Sequence, residues 1–124
     1  MKKELVSGLP KLWVHHMGER LECPGCQYPI ITRIVYEVID ELGLEDKAIL
    51  INSAACGFAI VLTTSMDAMF PNHGMGIDAA TGVKRMLPDA FVVSFGGDGD
   101  IAAIGAGAFV NAAQRSERFT VIMV

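Results

Sequence analysis

The chain has 124 residues, of which 52% are apolar and 13 are glycine, and its formal net charge at pH 7 is −4. This length suits one domain with a real core, and a mean hydropathy of +0.41 implies a mostly buried sheet or a face that rests against another subunit. No apolar run nears the ~18 residues of a membrane span, the N-terminus lacks a signal peptide's continuous apolar core, and no basic cluster suits nucleic acid.

Residues 1–22 carry Trp13, His15 and His16 without a sustained period, and read as an N-terminal arm to a single domain over 1–124. Cys23-Pro24-Gly25-Cys26 is a tight turn by composition. Pro29 then opens a helix. Ile30, Ile31, Ile34, Val35, Val38, Ile39 and Leu42 share one of its faces, Arg33, Glu37, Asp40 and Glu41 lie away from it, and Gly43 suits its end. Residues 47–52 form a short buried strand, with 53–57 as the loop at its carboxyl end. The stretch 58–69 is apolar and ambiguous between helix and strand, and Pro71-Asn72-His73-Gly74 breaks it.

Residues 76–87 are helical, with Ala79, Ala80, Val83 and Leu87 inward and Lys84 and Arg85 outward, and Pro88 is the stop. An apolar strand from Phe91 empties into Gly97-Asp98-Gly99-Asp100, a small-residue helix follows over about 101–114, and 119–124 is a last buried strand. Strands alternating with helices imply an α/β fold, a parallel sheet with helices on both faces. Because the chain stops at its last strand, the sheet is expected to be incomplete at the C-terminus.

The Gly97–Asp100 turn is where chemistry is expected. A carboxylate and free backbone N–H groups at a strand's carboxyl end, facing a helix start, suit a diphosphate and its divalent metal. Asp98 is the candidate ligand, with Gly97 and Gly99 allowing close approach; a bare helix-capping role is the alternative, and Asp100 can also fill that role. Cys23 and Cys26 have the spacing of metal ligands, of one corner of an iron–sulfur cluster, or of a redox dithiol. Cys56 is either a third thiolate on the same side of the sheet or a small buried hydrophobe. An odd cysteine count argues against a disulfide framework and for a reducing, cytoplasmic setting. His73, in its turn, faces either a phosphate or solvent. Gly105 and Gly107 weaken the last helix unless close packing compensates.

Taken in order, Cys23-Pro-Gly-Cys26, the lone Cys56, Pro71-Asn-His-Gly74, Ala80-Thr-Gly-Val-Lys84 and Gly97-Asp-Gly-Asp100 resemble the beta subunit of 2-oxoacid:ferredoxin oxidoreductases, over roughly residues 22–124. That resemblance implies a thiamine-diphosphate-binding fold. It also implies oxidative decarboxylation of a 2-oxoacid such as pyruvate, 2-oxoglutarate or 2-oxoisovalerate to its acyl-coenzyme A, with electrons passed through iron–sulfur centres to ferredoxin. Asp98 would hold the magnesium that clamps the diphosphate, and Cys56, Gly57, His73, Gly74, Gly97, Asp98, Gly99 and Asp100 would lie at the cofactor. Cys23, Cys26 and Cys56 would match three ligands of a four-iron cluster whose fourth ligand lies outside this chain.

The family's motif finishes with an asparagine pair expected beyond Val124. The glutamate that activates the aminopyrimidine comes from a partner subunit. The implied assembly is hetero-oligomeric, with alpha and possibly gamma and delta subunits, and the isolated chain is expected to be inactive and to bind thiamine diphosphate weakly. Met75 stands where the family often has arginine, and Ser53-Ala-Ala-Cys56 replaces a common Gly-Ile-Gly-Cys. Phe58 and Ala59 stand where a polar residue often follows. These departures bear on substrate class more than on cofactor binding. The alternatives are a thiamine-diphosphate decarboxylase or synthase half without a cluster, which the cysteines do not fit, and a small zinc-binding interaction module.

Overall fold

The computed structural model describes residues 10–14 and 22–124; most of the expected arm, including His15 and His16, lies outside the described residues. What is described of the arm docks on the domain. Leu12 is buried in the core, Trp13 bridges Thr64, and the Val14 N–H donates to the Thr63 carbonyl at 2.7 Å.

The elements run α1 (Tyr28–Glu41), β1 (Ala48–Asn52), α2 (Phe58–Thr63), β2 (Asp67–Met69), α3 (Gly76–Met86), β3 (Phe91–Gly96), a π-helical segment (Gly99–Ile104), α4 (Ala106–Gln114) and β4 (Thr120–Met123). The four strands form one parallel sheet in the order β2-β1-β3-β4, in register Ala48 with Phe91 and Val93 with Thr120. The ambiguous stretch 58–69 resolves into a short helix and a short exposed edge strand. Among the described residues no helix is long and apolar enough to cross a membrane.

Strand alternation divides the core in two. Ala48, Leu50 and Phe95 face α1 and α2, packing with Tyr28, Tyr36, Ile39 and Ile60. Ile51 and Val92 face the other way onto Ala80 of α3, and Ile77, Ile101 and Ala112 continue that side towards α4. Near-continuous apolar strands are what a sheet covered on both faces requires.

Helix α1 departs from the sequence expectation. Its buried residues are Tyr28, Thr32, Tyr36 and Ile39, while Ile30, Ile34, Val38 and Leu42 are exposed. The sheet accepts the side carrying two aromatic rings, which bury more area per residue than the aliphatic row opposite. Tyr28 packs edge-on to Phe95 at 5.3 Å and Tyr36 edge-on to Trp13 at 5.7 Å. The helix ends at Gly43, in left-handed backbone at φ +63°, as expected.

Tyr36 is wholly buried and donates its hydroxyl to the Ile60 carbonyl at 3.2 Å. Burial pushes its phenol from the usual 10.0 up to about 12. The folded state therefore keeps a proton that the unfolded chain releases, and stability, fully present below pH 10, falls as pH rises towards 12. Melting temperatures measured at about pH 9 and about pH 11 should show this drop, and Tyr36→Phe should lessen it.

Candidate functional site

The strand order locates the site. From β1 the chain moves outward to β2, then crosses back so that β3 pairs on the opposite side of β1. Such a reversal opens a crevice at the carboxyl ends of the two central strands. Asn52 ends β1 opposite Phe95 of β3. Ser53, Cys56 and Gly57 follow the first strand, and Gly97, Asp98 and Gly99 follow the second, so separate stretches of sequence meet at one rim.

Asp98 is exposed at this rim. Its Oδ1 accepts the Gly99 N–H at 2.7 Å, which is the capping role, and its Oδ2 has no partner among the described residues. The Asp98 N–H donates to the Val124 carbonyl at 3.1 Å, tying the turn to the end of β4. A Cβ at Gly99 would meet nothing within 4 Å, while one at Gly97 would sit 3.2 Å from the Tyr28 hydroxyl. One free carboxylate oxygen beside two glycines leaves room for a divalent metal and the oxygens it bridges.

Asp100 is separated from this rim. Sequence pattern groups it with Asp98 at the ligand and offers it as a cap; in the structure Asp98 is the cap and Asp100 is buried, 3% exposed. Its Oδ1 accepts the Gly74 N–H at 2.7 Å and also contacts His73 Nδ1, while Oδ2 fits against Gly96, where a Cβ would come within 2.9 Å. The wide π-helical turn is closed by Gly105 N–H donating to the Asp100 carbonyl at 2.9 Å, a bond spanning five residues. Gly74 has φ +78°, and Gly105 packs so tightly that a Cβ there would lie 2.8 Å from both the Asp100 and Gly74 carbonyl oxygens. The Pro71–Gly74 turn and the Asp98–Gly105 segment are thus locked together, and His73 stays 46% exposed at their junction.

The cysteines are less organised. Cys26 N–H donates to the Cys23 carbonyl at 3.0 Å across the expected turn. Cys23 is exposed, Cys26 half-buried and Cys56 exposed, so Cys56 is not the buried hydrophobe of the alternative reading. Among the described residues no three His, Cys, Asp or Glu side chains are gathered as a metal cage.

Two residues at the rim escaped sequence reasoning. Asn52 is fully buried; its Nδ2 donates to the Gly57 carbonyl at 2.9 Å and its Oδ1 is buried without a partner among the described residues. A buried, unpaired carbonyl oxygen at a strand's carboxyl end is a place for a ligand donor. Tyr28 links the cysteine turn to the Asp98 turn. Burial, then Cys56, Asp100, Cys26 and Asp98 in turn, push its phenol up to about 12, so it remains a protonated donor. An asparagine closing an apolar strand was the available signal for the first; Tyr28 had none beyond its place two residues after Cys26. A cavity of about 240 Å³ lined by Lys84, Phe91, Glu117 and Arg118 lies at the opposite, amino end of β3 and β4, away from these residues.

Residues 55–124 match the family described as thiamine pyrophosphate enzyme, C-terminal TPP binding domain. The chain is 34% identical over 103 residues to the 2-oxoglutarate synthase subunit KorB of Methanocaldococcus jannaschii, covering 82% of this chain and 38% of that protein. It is 36% identical over 104 residues to a 2-oxoacid:ferredoxin oxidoreductase subunit beta of a Sulfolobus species, covering 82% of this chain and 34% of that one. Against the ketoisovalerate oxidoreductase subunit VorA of Methanothermobacter thermautotrophicus it is 32% identical, over 82% of this chain and 21% of that one. A solved 2-oxoglutarate:ferredoxin oxidoreductase from Magnetococcus marinus, with 2-oxoglutarate, coenzyme A and succinyl-CoA bound, superposes with a TM-score of 0.84 at 28% identity, over 98% of this chain and 42% of that one. The chain thus spans between about a fifth and two-fifths of the length of these relatives.

Proposed function

Because the chain belongs to the thiamine pyrophosphate enzymes, by its match to their C-terminal TPP-binding domain, we propose that it is the thiamine-diphosphate-holding segment of a 2-oxoacid:ferredoxin oxidoreductase beta subunit. The observation that carries the reading is the rim at the β1–β3 reversal. There Asp98 keeps one carboxylate oxygen free between Gly97 and Gly99, and Asn52, with its buried unpaired oxygen, closes the neighbouring strand β1. Asp98 would hold magnesium through Oδ2, Gly97 and Gly99 would admit the diphosphate, and Asn52 Oδ1 would accept a donor from the ligand.

Bound thiamine diphosphate supplies the nucleophile and electron sink that a 2-oxoacid needs in order to lose carbon dioxide. The chain's own part is to grip, orient and exclude water, with Tyr28 as an uncharged donor between the two turns. Cys23, Cys26 and Cys56 as placed are no assembled ligand set, so the cofactor reading stands on the Asp98 rim and not on an iron–sulfur cluster. Partner alpha subunits, ferredoxin as electron acceptor and a cytoplasmic location go with this reading.

The test is made on the enzyme assembled with its partner subunits. Magnesium with thiamine diphosphate at a hundred times its Kd should add about 2.7 kcal/mol of stability and raise the melting temperature by several degrees. A 2-oxoacid and coenzyme A should then reduce a viologen dye. No thermal shift, together with no dye reduction from pyruvate, 2-oxoisovalerate or 2-oxoglutarate, would overturn the proposal.

A further inference from the structure

We infer that Asp100 is a positioning residue whose buried carboxylate commits the neutral His73 ring to carry its hydrogen on Nδ1, so that Nε2 is the acceptor the ring presents to the crevice. The geometry assigns the roles. Gly74 N–H is a donor in every state, and it donates to Asp100 Oδ1 at 2.7 Å. The same oxygen contacts His73 Nδ1, and a carboxylate oxygen accepts only from a nitrogen that carries hydrogen.

In the neutral ring the other nitrogen then carries the lone pair, since hydrogen on Nδ1 defines the tautomer. His73 is 46% exposed and Asp100 only 3%, so the fixed end of the pair is inside and the free end is at the surface of the site. Gly96, Gly74 and Gly105 supply the space: side chains there would meet Asp100 Oδ2, the Ile104 side chain and the Asp100 carbonyl respectively. Gly96 thus clears the carboxylate itself, and Gly74 and Gly105 let the backbones that carry the pair approach closely.

The chemical consequence is specific. A neutral imidazole presenting Nε2 accepts from an amino or hydroxyl group and repels a phosphate oxygen. His73 is therefore matched to a donor on the ligand, whereas the diphosphate is left to the Asp98 rim. What Nε2 meets rests on the thiamine-diphosphate reading; the ring's committed tautomer does not.

The tautomer can be read directly from nitrogen-15 NMR of the histidine ring in the 124-residue chain, without cofactor, with His73→Gln assigning the signal. The expected result is hydrogen on Nδ1. Asp100→Asn should keep it, because the amide oxygen can serve both donors while its NH2 group can serve neither. Asp100→Ala should release the ring to its commoner Nε2–H form and expose the Gly74 N–H to faster hydrogen exchange. In the assembled enzyme Asp100→Ala should weaken thiamine diphosphate or substrate binding about tenfold, with Asp100→Asn restoring most of it. Hydrogen on Nε2 alone in the neutral ring of the unsubstituted chain, or an unchanged tautomer in Asp100→Ala, overturns the inference. Failure of the unsubstituted assembled enzyme to bind thiamine diphosphate instead sinks the proposed function and leaves the tautomer result standing.

Discussion

Gly74→Ala should destabilise the domain by about 3 kcal/mol, a drop in melting temperature of about 10 °C for a chain of this size. Two independent terms add. The φ of +78° is left-handed backbone, which costs a residue with a Cβ about 1–2 kcal/mol. The new Cβ would also lie 2.4 Å from Ile104 Cγ2 and 3.1 Å from the Gly105 nitrogen. The Ile104 methyl is on an exposed side chain and can turn aside, but the Gly105 backbone is pinned by its bond to the Asp100 carbonyl, so the π-helical junction itself must shift. Gly107→Ala is the control. A Cβ there meets nothing within 4 Å, in the open face of α4, so alanine should be neutral or stabilising by up to about 1 kcal/mol. Thermal melts of the two variants, side by side, check both; equal effects would mean the Gly74 turn is not locked as described.

Gly105 and Gly107 show where sequence stops being sufficient. Both stand in a stretch that reads as one helix from about 101 to 114, and both look like weak points in it. The structure breaks the stretch at Gly105, with a π-helical turn before it and an α-helix after. The break comes from three backbones converging, those of Asp100, Gly74 and Gly105, two of them close in sequence and one distant, and no local pattern encodes it. Asp100 escaped for the same reason. Spacing alone places it beside Asp98 at the ligand, and only the arrival of His73 and Gly74 reveals that its carboxylate turns inward. Helix α1 departs for another reason: apolar spacing marks the helix, but both its sides are rich in apolar atoms, and the buried side is set by the aromatic rings that fill the space over Leu50 and Phe95. By contrast, although β2 is hidden in the ambiguous stretch 58–69, strands β1, β3 and β4 are legible to within a residue or two. Each is a short apolar run bounded by glycine, proline or polar residues, and a sheet covered on both faces allows little else. Their carboxyl ends are legible with them, so the turn that carries Asp98 is placed at the end of β3 by sequence alone.

The largest functional effect is expected at Asp98. In the enzyme assembled with its partner subunits, Asp98→Ala should weaken magnesium-dependent thiamine diphosphate binding by on the order of a hundredfold or more, since it removes a charged ligand and not merely an orienting neighbour. The same substitution also deletes the bond from Gly99 N–H to Oδ1, and a lost cap costs about 1 kcal/mol of stability on its own. Asp98→Asn separates the two roles. Its amide oxygen can still accept from Gly99, so the melting temperature without cofactor should stay near that of the unsubstituted protein, whereas the lost negative charge still deprives magnesium of its anionic ligand. Calorimetric titration with and without magnesium, set beside melts without cofactor, gives the affinity and the stability of each variant. Should Asp98→Asn bind as tightly as the unsubstituted enzyme while Asp98→Ala only melts earlier, the aspartate is a helix cap and nothing more. A loss of affinity shared by both variants, with stability lost in the alanine alone, makes Oδ2 the metal's oxygen and Oδ1 the helix's.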